Sequence, residues 1–201
     1  IMCDSKGVIN MERENLDESK KQFATTRKIK TLSEAVKGCD VFVGLSVADS
    51  LTPDDVLAMA NDPIVFALAN PNPEIAYDLA KKTRPDIIMG TGRSDHPNQI
   101  NNVLGFPYIF RGALDVRATE INEEMKLAAV RALATLAKEP VPDIVFQAYG
   151  IDRIEFGRDY LIPKPLDPRL ITTVSPAVAK AAMDSGMAKN PITDWGAYHQ
   201  Q

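Results

Sequence analysis

The first ninety residues alternate short apolar runs with polar segments punctuated by glycine and proline, and each run has the length of a strand. Asp40-Val41-Phe42-Val43-Gly44-Leu45 is β-branched and aromatic, the pattern of a strand buried on both faces. Ile64-Val65-Phe66-Ala67-Leu68-Ala69 reads as a second strand, stopped by Asn70-Pro71-Asn72-Pro73, which neither strand nor helix crosses. Residues 86–89 read as a third. Helix signals lie between them. Thr31-Leu32-Ser33-Glu34 has the form of a capping box and opens a short helix closed by Gly38. Thr52-Pro53-Asp54-Asp55 sets a cap, a first-turn proline and two acids where the helix dipole favours them. Residues 74–82 supply the next helix, and 16–24 a weaker one. Strands alternating with such helices specify βαβ units and a parallel sheet. At the start, Ile1-Met2-Cys3 runs into Asp4-Ser5-Lys6-Gly7 and reads as the end of a buried strand followed by a tight loop. An upstream portion of the protein is therefore expected.

Beyond Gly92 the pattern becomes helical. Residues 101–117 carry Val103, Phe106, Phe110 and Leu114 as an apolar stripe, with a bend expected at Pro107. Residues 121–138 repeat the amphipathic pattern through Met125, Ala129, Leu133 and Leu136. Prolines are frequent from 139 to 170, and 156–165 reads as extended. Ser175-Pro176 opens a last helix to Ser185, closed by Gly186, and the tail from Lys189 reads as a linker or terminus. No internal repeat is present.

The 201 residues suffice for one large domain, and 45% hydrophobic with 25% charged residues exclude disordered, collagenous and coiled-coil classes. A net charge of −4 without a basic block argues against nucleic acid as a partner. No run reaches the roughly 18 apolar residues of a membrane span, and no signal-peptide layout opens the chain. Cys3 and Cys39 form no disulfide framework and no C-x-x-C pair. The expected setting is the cytoplasm, with no membrane partner.

In an open parallel sheet ligands bind beyond the carboxyl ends of the strands, so the residues just after each strand are the chemical candidates. Asp4 stands where an acid accepts hydrogen bonds from the ribose of a dinucleotide, and Lys6 where a cation meets a 2′-phosphate. The plainer reading of Asp4 is a loop cap, because only three residues precede it and no G-x-G-x-x-G stands upstream. Gly90-Thr91-Gly92 lacks a third glycine and reads as a turn. Gly44-Leu45-Ser46-Val47-Ala48 resembles a nucleophile elbow, which raises a hydrolase, but only His96 and His199 could complete a triad. Ser46 reads better as a hydroxyl ending a strand beside a cleft. Asp95 and His96 are adjacent in a loop without a second cluster, a poor metal site. Asn70, Asn101 and Asn102 could orient carboxylates or carboxamides without adding charge, although asparagine is common in caps and turns. Helical spacing turns Asn101 and Asn102 about 100° apart, so one of them is expected to be structural.

Three strings, Val41 through Ser46, Phe66-Ala67-Leu68-Ala69-Asn70-Pro71-Asn72-Pro73-Glu74-Ile75, and Gly92-Arg93-Ser94-Asp95-His96-Pro97-Asn98-Gln99-Ile100-Asn101-Asn102, resemble in this order the distal part of the cofactor-binding domain of malic enzymes. The resemblance continues through 106–115 and into 160–168, which is similar to the bacterial NADP-linked branch. It implies a partial Rossmann-like, doubly wound α/β sheet followed by C-terminal helices. Residues 1–118 would be the distal NAD(P)-binding part, 119–189 its helical part and 190–201 a linker or tail. Ile192-Thr193-Asp194-Trp195 is similar to the junction before a phosphotransacetylase-like module.

The implied activity is oxidative decarboxylation of L-malate to pyruvate and CO2, with NADP, or NAD, reduced. The implied enzyme is a homo-oligomer. Asn102 matches the asparagine that holds the substrate carboxylate. Asn70 matches one at the nicotinamide side, Asp4 the acid at the adenosine ribose, and Ser46 lies in the cofactor-facing loop. The family's catalytic tyrosine and lysine, its Mg or Mn ligands and its glycine-rich turn lie upstream of the matched region, and Tyr77 and Lys81 are not that pair. The chain alone is therefore expected to be inactive without a missing N-terminal part. The alternative is a non-catalytic α/β binding or interaction module.

Overall fold

The computed structural model describes residues 1–14 and 16–199, the side chain of His199 excepted. It divides into two compact units, one ending at Pro97 and one starting at Asn98.

In the first unit, β3 (Val41–Gly44), β4 (Ile64–Ala67) and β5 (Ile88–Thr91) form a parallel sheet in that order. Phe42, Val65 and Met89 are in register across it, so their side chains share one face. The short α1 (Glu18–Lys21) buries no residue, and that face of the sheet meets Val36 of α2 (Leu32–Val36), Val56 of α3 (Pro53–Ala58) and Ala80 of α4 (Tyr77–Thr83) in one core. The predicted capping box forms at Thr31, and the cap expected at Thr52 forms a second. Thr31 accepts from Glu34 N–H while Glu34 reaches back to the Thr31 N–H, and Thr52 and Asp55 do the same for α3. Each cap satisfies donors that a helix end leaves open and contributes about 1 kcal/mol.

Three expectations for this unit are corrected. Residues 1–3 do not feed the parallel sheet. β1 (Cys3–Asp4) turns through Ser5 and Lys6 and pairs antiparallel with β2 (Gly7–Val8), leaving Ile1 and Met2 exposed. The return needs Gly7, whose φ of 98° suits a residue without Cβ and whose Cα lies against the Lys30 carbonyl. Second, β3 is covered on one face only. Val41 and Val43 are 50% and 55% exposed among the described residues, because the first core lies on the other face. Third, α4 starts three residues later than expected, because Glu74 is drawn under the sheet's rim instead of opening a helix.

The second unit is helical. A turn of 3-10 helix at Asn102–Leu104 leads into α5 (Phe106–Asp115), followed by α6 (Glu123–Leu136), α7 (Asp143–Tyr149), α8 (Arg169–Asp184) and α9 (Trp195–His199). α6 buries Met125, Ala129 and Leu136 as its periodicity requires. α5 reverses the expected stripe. Val103, Phe106, Phe110 and Leu114 face outward, and Leu104, Ala113 and Val116 enter the core. The cause is Gly112, which lets α5 lie close against the Ser175 carbonyl of α8, an approach that fixes the small-residue side inward. Pro107 sits in the first helical turn, where it has no hydrogen bond to remove.

α7 was not expected, and α8 begins six residues before the Ser-Pro signal, with Pro176 inside it. Buried Asp167 explains the early start, since its carboxylate accepts both the Arg169 N–H and its guanidinium. Residues 190–198 are tied down. Asn190 N–H donates to the Val116 carbonyl, Trp195 packs on the second core, and Tyr198 Oη donates to Asp115 at 2.6 Å. Cys3 and Cys39 are free thiols. Among the described residues, no helix is long and apolar enough to cross a membrane.

Candidate functional site

The β1–β2 turn places Asp4 against two cations. Arg13 grips the carboxylate in a two-pronged pair at 2.9 and 3.0 Å, Lys20 Nζ donates at 2.9 Å, and the Lys6 N–H closes the turn at 2.9 Å. These bonds, that of Arg13 foremost, hold the Asp4 carboxyl far below the usual carboxylate range. They line a cavity of about 250 Å³ with Ser5, Lys6, Arg13 and Lys20 on its wall. Lys6 is exposed and pairs with no carboxylate among the described residues. Four donors occupy the carboxylate's acceptor positions, so a ribose hydroxyl reaches Asp4 only when one of them, most easily the half-exposed Lys20, turns away.

The second group lies at the carboxyl ends of β3 and β4. Glu74 has no exposed surface. Its Oε1 accepts the Ser46 N–H at 2.8 Å and lies 3.4 Å from Ser46 Oγ, while Oε2 accepts the Ala69 N–H at 3.0 Å. The Glu74 carbonyl accepts the Leu51 N–H and the Pro73 carbonyl the Asp49 N–H, so the loop after β3 is stitched to the segment after β4. Asn70, next to Ala69, stands exposed at this rim, joined to Pro71 by a cis peptide bond. Sequence reasoning missed Glu74. Read as the first residue of a helix, it showed no sign of burial, and only the proline turn just before it marks a chain reversal that could draw it inward.

In the second unit the two neighbouring asparagines divide as the helical period requires. Asn101 Oδ1 accepts the Val103 N–H at 3.0 Å and caps the 3-10 turn. Asn102 is exposed and makes no side-chain hydrogen bond among the described residues. Asn98 is a second residue that sequence reasoning missed. It is 2% exposed, with Nδ2 on the Arg158 carbonyl and Oδ1 on the Leu161 N–H.

The competing chemistries find no geometry. Among the described residues, Ser46 Oγ contacts Glu74 and Ser50 and no histidine. His96 stacks on Tyr77 at 4.5 Å, and the side chain of His199 lies outside the described residues. Asp95 is held by Arg93, which brings its carboxyl down to about 2. Lys81 Nζ donates to the Ile87 carbonyl. Among the described residues, no cluster of three or more His, Cys, Asp or Glu could hold a metal ion. The described residues therefore supply no donor set for a Mg or Mn centre.

Residues 1–146 match the family described as malic enzyme, NAD binding domain. The NADP-dependent malic enzyme of Halomonas elongata is 59% identical over 191 residues, covering 95% of this chain and 45% of that protein. That of Salmonella typhimurium is 58% identical, covering 98% of this chain and 26% of that protein. The crystal structure of Entamoeba histolytica malic enzyme superposes with a TM-score of 0.80 at 32% identity, over 98% of this chain and 40% of that one. The chain thus spans a quarter to a half of the length of these relatives. Its parallel α/β sheet and helices agree with a partial Rossmann-like fold, and the chain belongs to the malic enzyme family through its NAD binding domain.

Proposed function

We propose that this chain is the nicotinamide- and substrate-facing part of a bacterial NADP-dependent malic enzyme that converts L-malate to pyruvate and CO2. The observation that carries the reading is the exposed Asn70 at the carboxyl rim of the parallel sheet, beside a loop that Glu74 holds in place. A bound nicotinamide supplies the hydride acceptor. Asn70 orients the carboxamide and ribose side of that cofactor, and Ser46 lines the same rim. Asp4 and Lys6 hold the adenosine ribose and its 2′-phosphate, with Lys6 conferring the preference for NADP over NAD. Asn102 offers its carboxamide to a substrate carboxylate.

No step is assigned to a metal here, because these residues do not fit one. Mg or Mn and the acid and base groups belong to segments outside this chain. The working enzyme is a cytoplasmic homo-oligomer, joined in its larger forms to a phosphotransacetylase-like module. The test is malate-dependent NADPH formation with Mn2+ and NADP+. The longer polypeptide carrying this sequence forms NADPH and the 201-residue chain alone forms none. In the active protein Lys6→Gln weakens NADP+ about tenfold more than NAD+, the loss of one hydrogen bond to a charged group. Turnover by the chain alone, or equal losses for both cofactors, contradicts the respective assignment.

A further inference from the structure

We propose that Glu74 is the positioning residue that sets Ser46 and Asn70 against the nicotinamide half of the cofactor. This rests on the function proposed above. Glu74 is wholly buried and makes no ion pair among the described residues, yet its two oxygens hold the N–H groups of Ser46 and Ala69, the residues that leave β3 and enter the Asn70 turn. The carboxylate therefore ties Ser46 to Ala69 where the two rim loops diverge, between the Leu68 N–H on the Gly44 carbonyl and the backbone bonds from Asp49 and Leu51. Its seat is built for it. A Cβ on Gly44 would stand 2.3 Å from Glu74 Cδ and 2.5 and 2.7 Å from its oxygens, so only glycine leaves the carboxylate room under the end of β3.

The chemistry calls for an acceptor on both sides. Glutamine fills the same volume but presents an amide NH2 to one of two backbone donors, which forces that loop away. Aspartate keeps two acceptor oxygens on a stem one methylene shorter, and so retains part of the grip. Because Glu74 is buried and its two oxygens are taken by the N–H groups of Ser46 and Ala69, its effect passes through Ser46 and Asn70. It reaches the nicotinamide end and leaves the adenosine end, built from the β1–β2 turn, as it is.

The experiment uses the complete enzyme that carries this sequence, with malate-dependent NADPH formation and, as a probe of the adenosine end, competitive inhibition by adenosine 2′,5′-bisphosphate. Glu74→Gln raises KM for NADP+ and lowers kcat, each about tenfold, with the inhibition constant of the bisphosphate unchanged, and Glu74→Asp recovers part of the loss. Gly44→Ala, which displaces the carboxylate from the other side, gives the same split and serves if Glu74→Gln does not fold. An active wild-type enzyme with variants of unaltered kinetics, or with both ends of the cofactor weakened equally, overturns the role of Glu74. A wild-type enzyme that forms no NADPH from malate overturns the underlying function instead.

Discussion

The side-chain oxygen of Asn98 accepts the backbone N–H of Leu161 at 2.7 Å, and its amide donates to the Arg158 carbonyl at the same distance. One buried carboxamide thereby fixes a segment some sixty positions away in sequence and makes the extended stretch around Tyr160 part of the second unit. Asn98 also adopts a φ of 53°, a left-handed conformation that asparagine tolerates better than most residues. Asn98→Ala should cost about 1–3 kcal/mol, since it removes the partners of two buried backbone groups. Urea unfolding of the variant measures the loss, and a midpoint equal to wild type would make the two bonds incidental.

The clamp on Asp4 predicts an acid response. Arg13 and Lys20 depress the carboxyl in the folded state, so its contribution is fully present above the unfolded value of about 4 and is lost as pH falls through the lower folded value. The bridge between Asn10 and Thr25, with the Thr25 N–H on the Ile9 carbonyl, reports on the segment that Arg13 and Lys20 tie down. Exchange of the Thr25 amide should stay slow at neutral pH and quicken in strong acid. Asp4→Asn should exchange faster at neutral pH and show a smaller dependence on acid. Matching pH profiles for the two proteins would remove Asp4 as the clamp.

Asn102, exposed at the start of the 3-10 turn, is expected to serve substrate and not structure. In the complete enzyme, Asn102→Ala should raise KM for malate and lower kcat by about tenfold or more, with little change in stability. Asn101→Ala should do the reverse, because Asn101 is the cap. Steady-state kinetics beside thermal melts distinguishes the two, and unchanged malate kinetics in Asn102→Ala would return it to a structural role.

At Gly112 α5 lies close against α8, with the Ser175 carbonyl 2.4 Å and Val178 Cβ 2.8 Å from the place of a side-chain methyl. Gly112→Ala gains roughly 1 kcal/mol of helix propensity, but forcing the helices apart costs more, leaving a net loss of about 1–2 kcal/mol. Chemical denaturation checks the sign, and a stabilised variant would show that the helices separate freely.

The alternation of strands and helices was legible because it rests on local rules: β-branched runs, proline turns, the capping box at Thr31 and the cap at Thr52. The failures share a cause. The outward turn of Phe106, Phe110 and Leu114 depends on Gly112 meeting Ser175, a contact 63 positions apart that periodicity within one helix cannot reveal. The start of α8 depends on buried Asp167, and the rim after β4 depends on buried Glu74, both acids that composition places at the surface. The family motif marks Asn70 and Asn102 as candidates, whereas Glu74 and Asn98 stand in the same strings and show their contacts only through distant backbone partners.

That the rim beyond β4 faces the nicotinamide is tested most directly by mapping amide shifts of the 15N-labelled protein with two halves of the cofactor. Nicotinamide mononucleotide should move the resonances of Ser46, Ala69 and Asn70, while adenosine 2′,5′-bisphosphate should move those of Asp4, Lys6, Arg13 and Lys20. Nicotinamide mononucleotide that leaves Asn70 and its neighbours unmoved, while shifting residues elsewhere, would contradict the account.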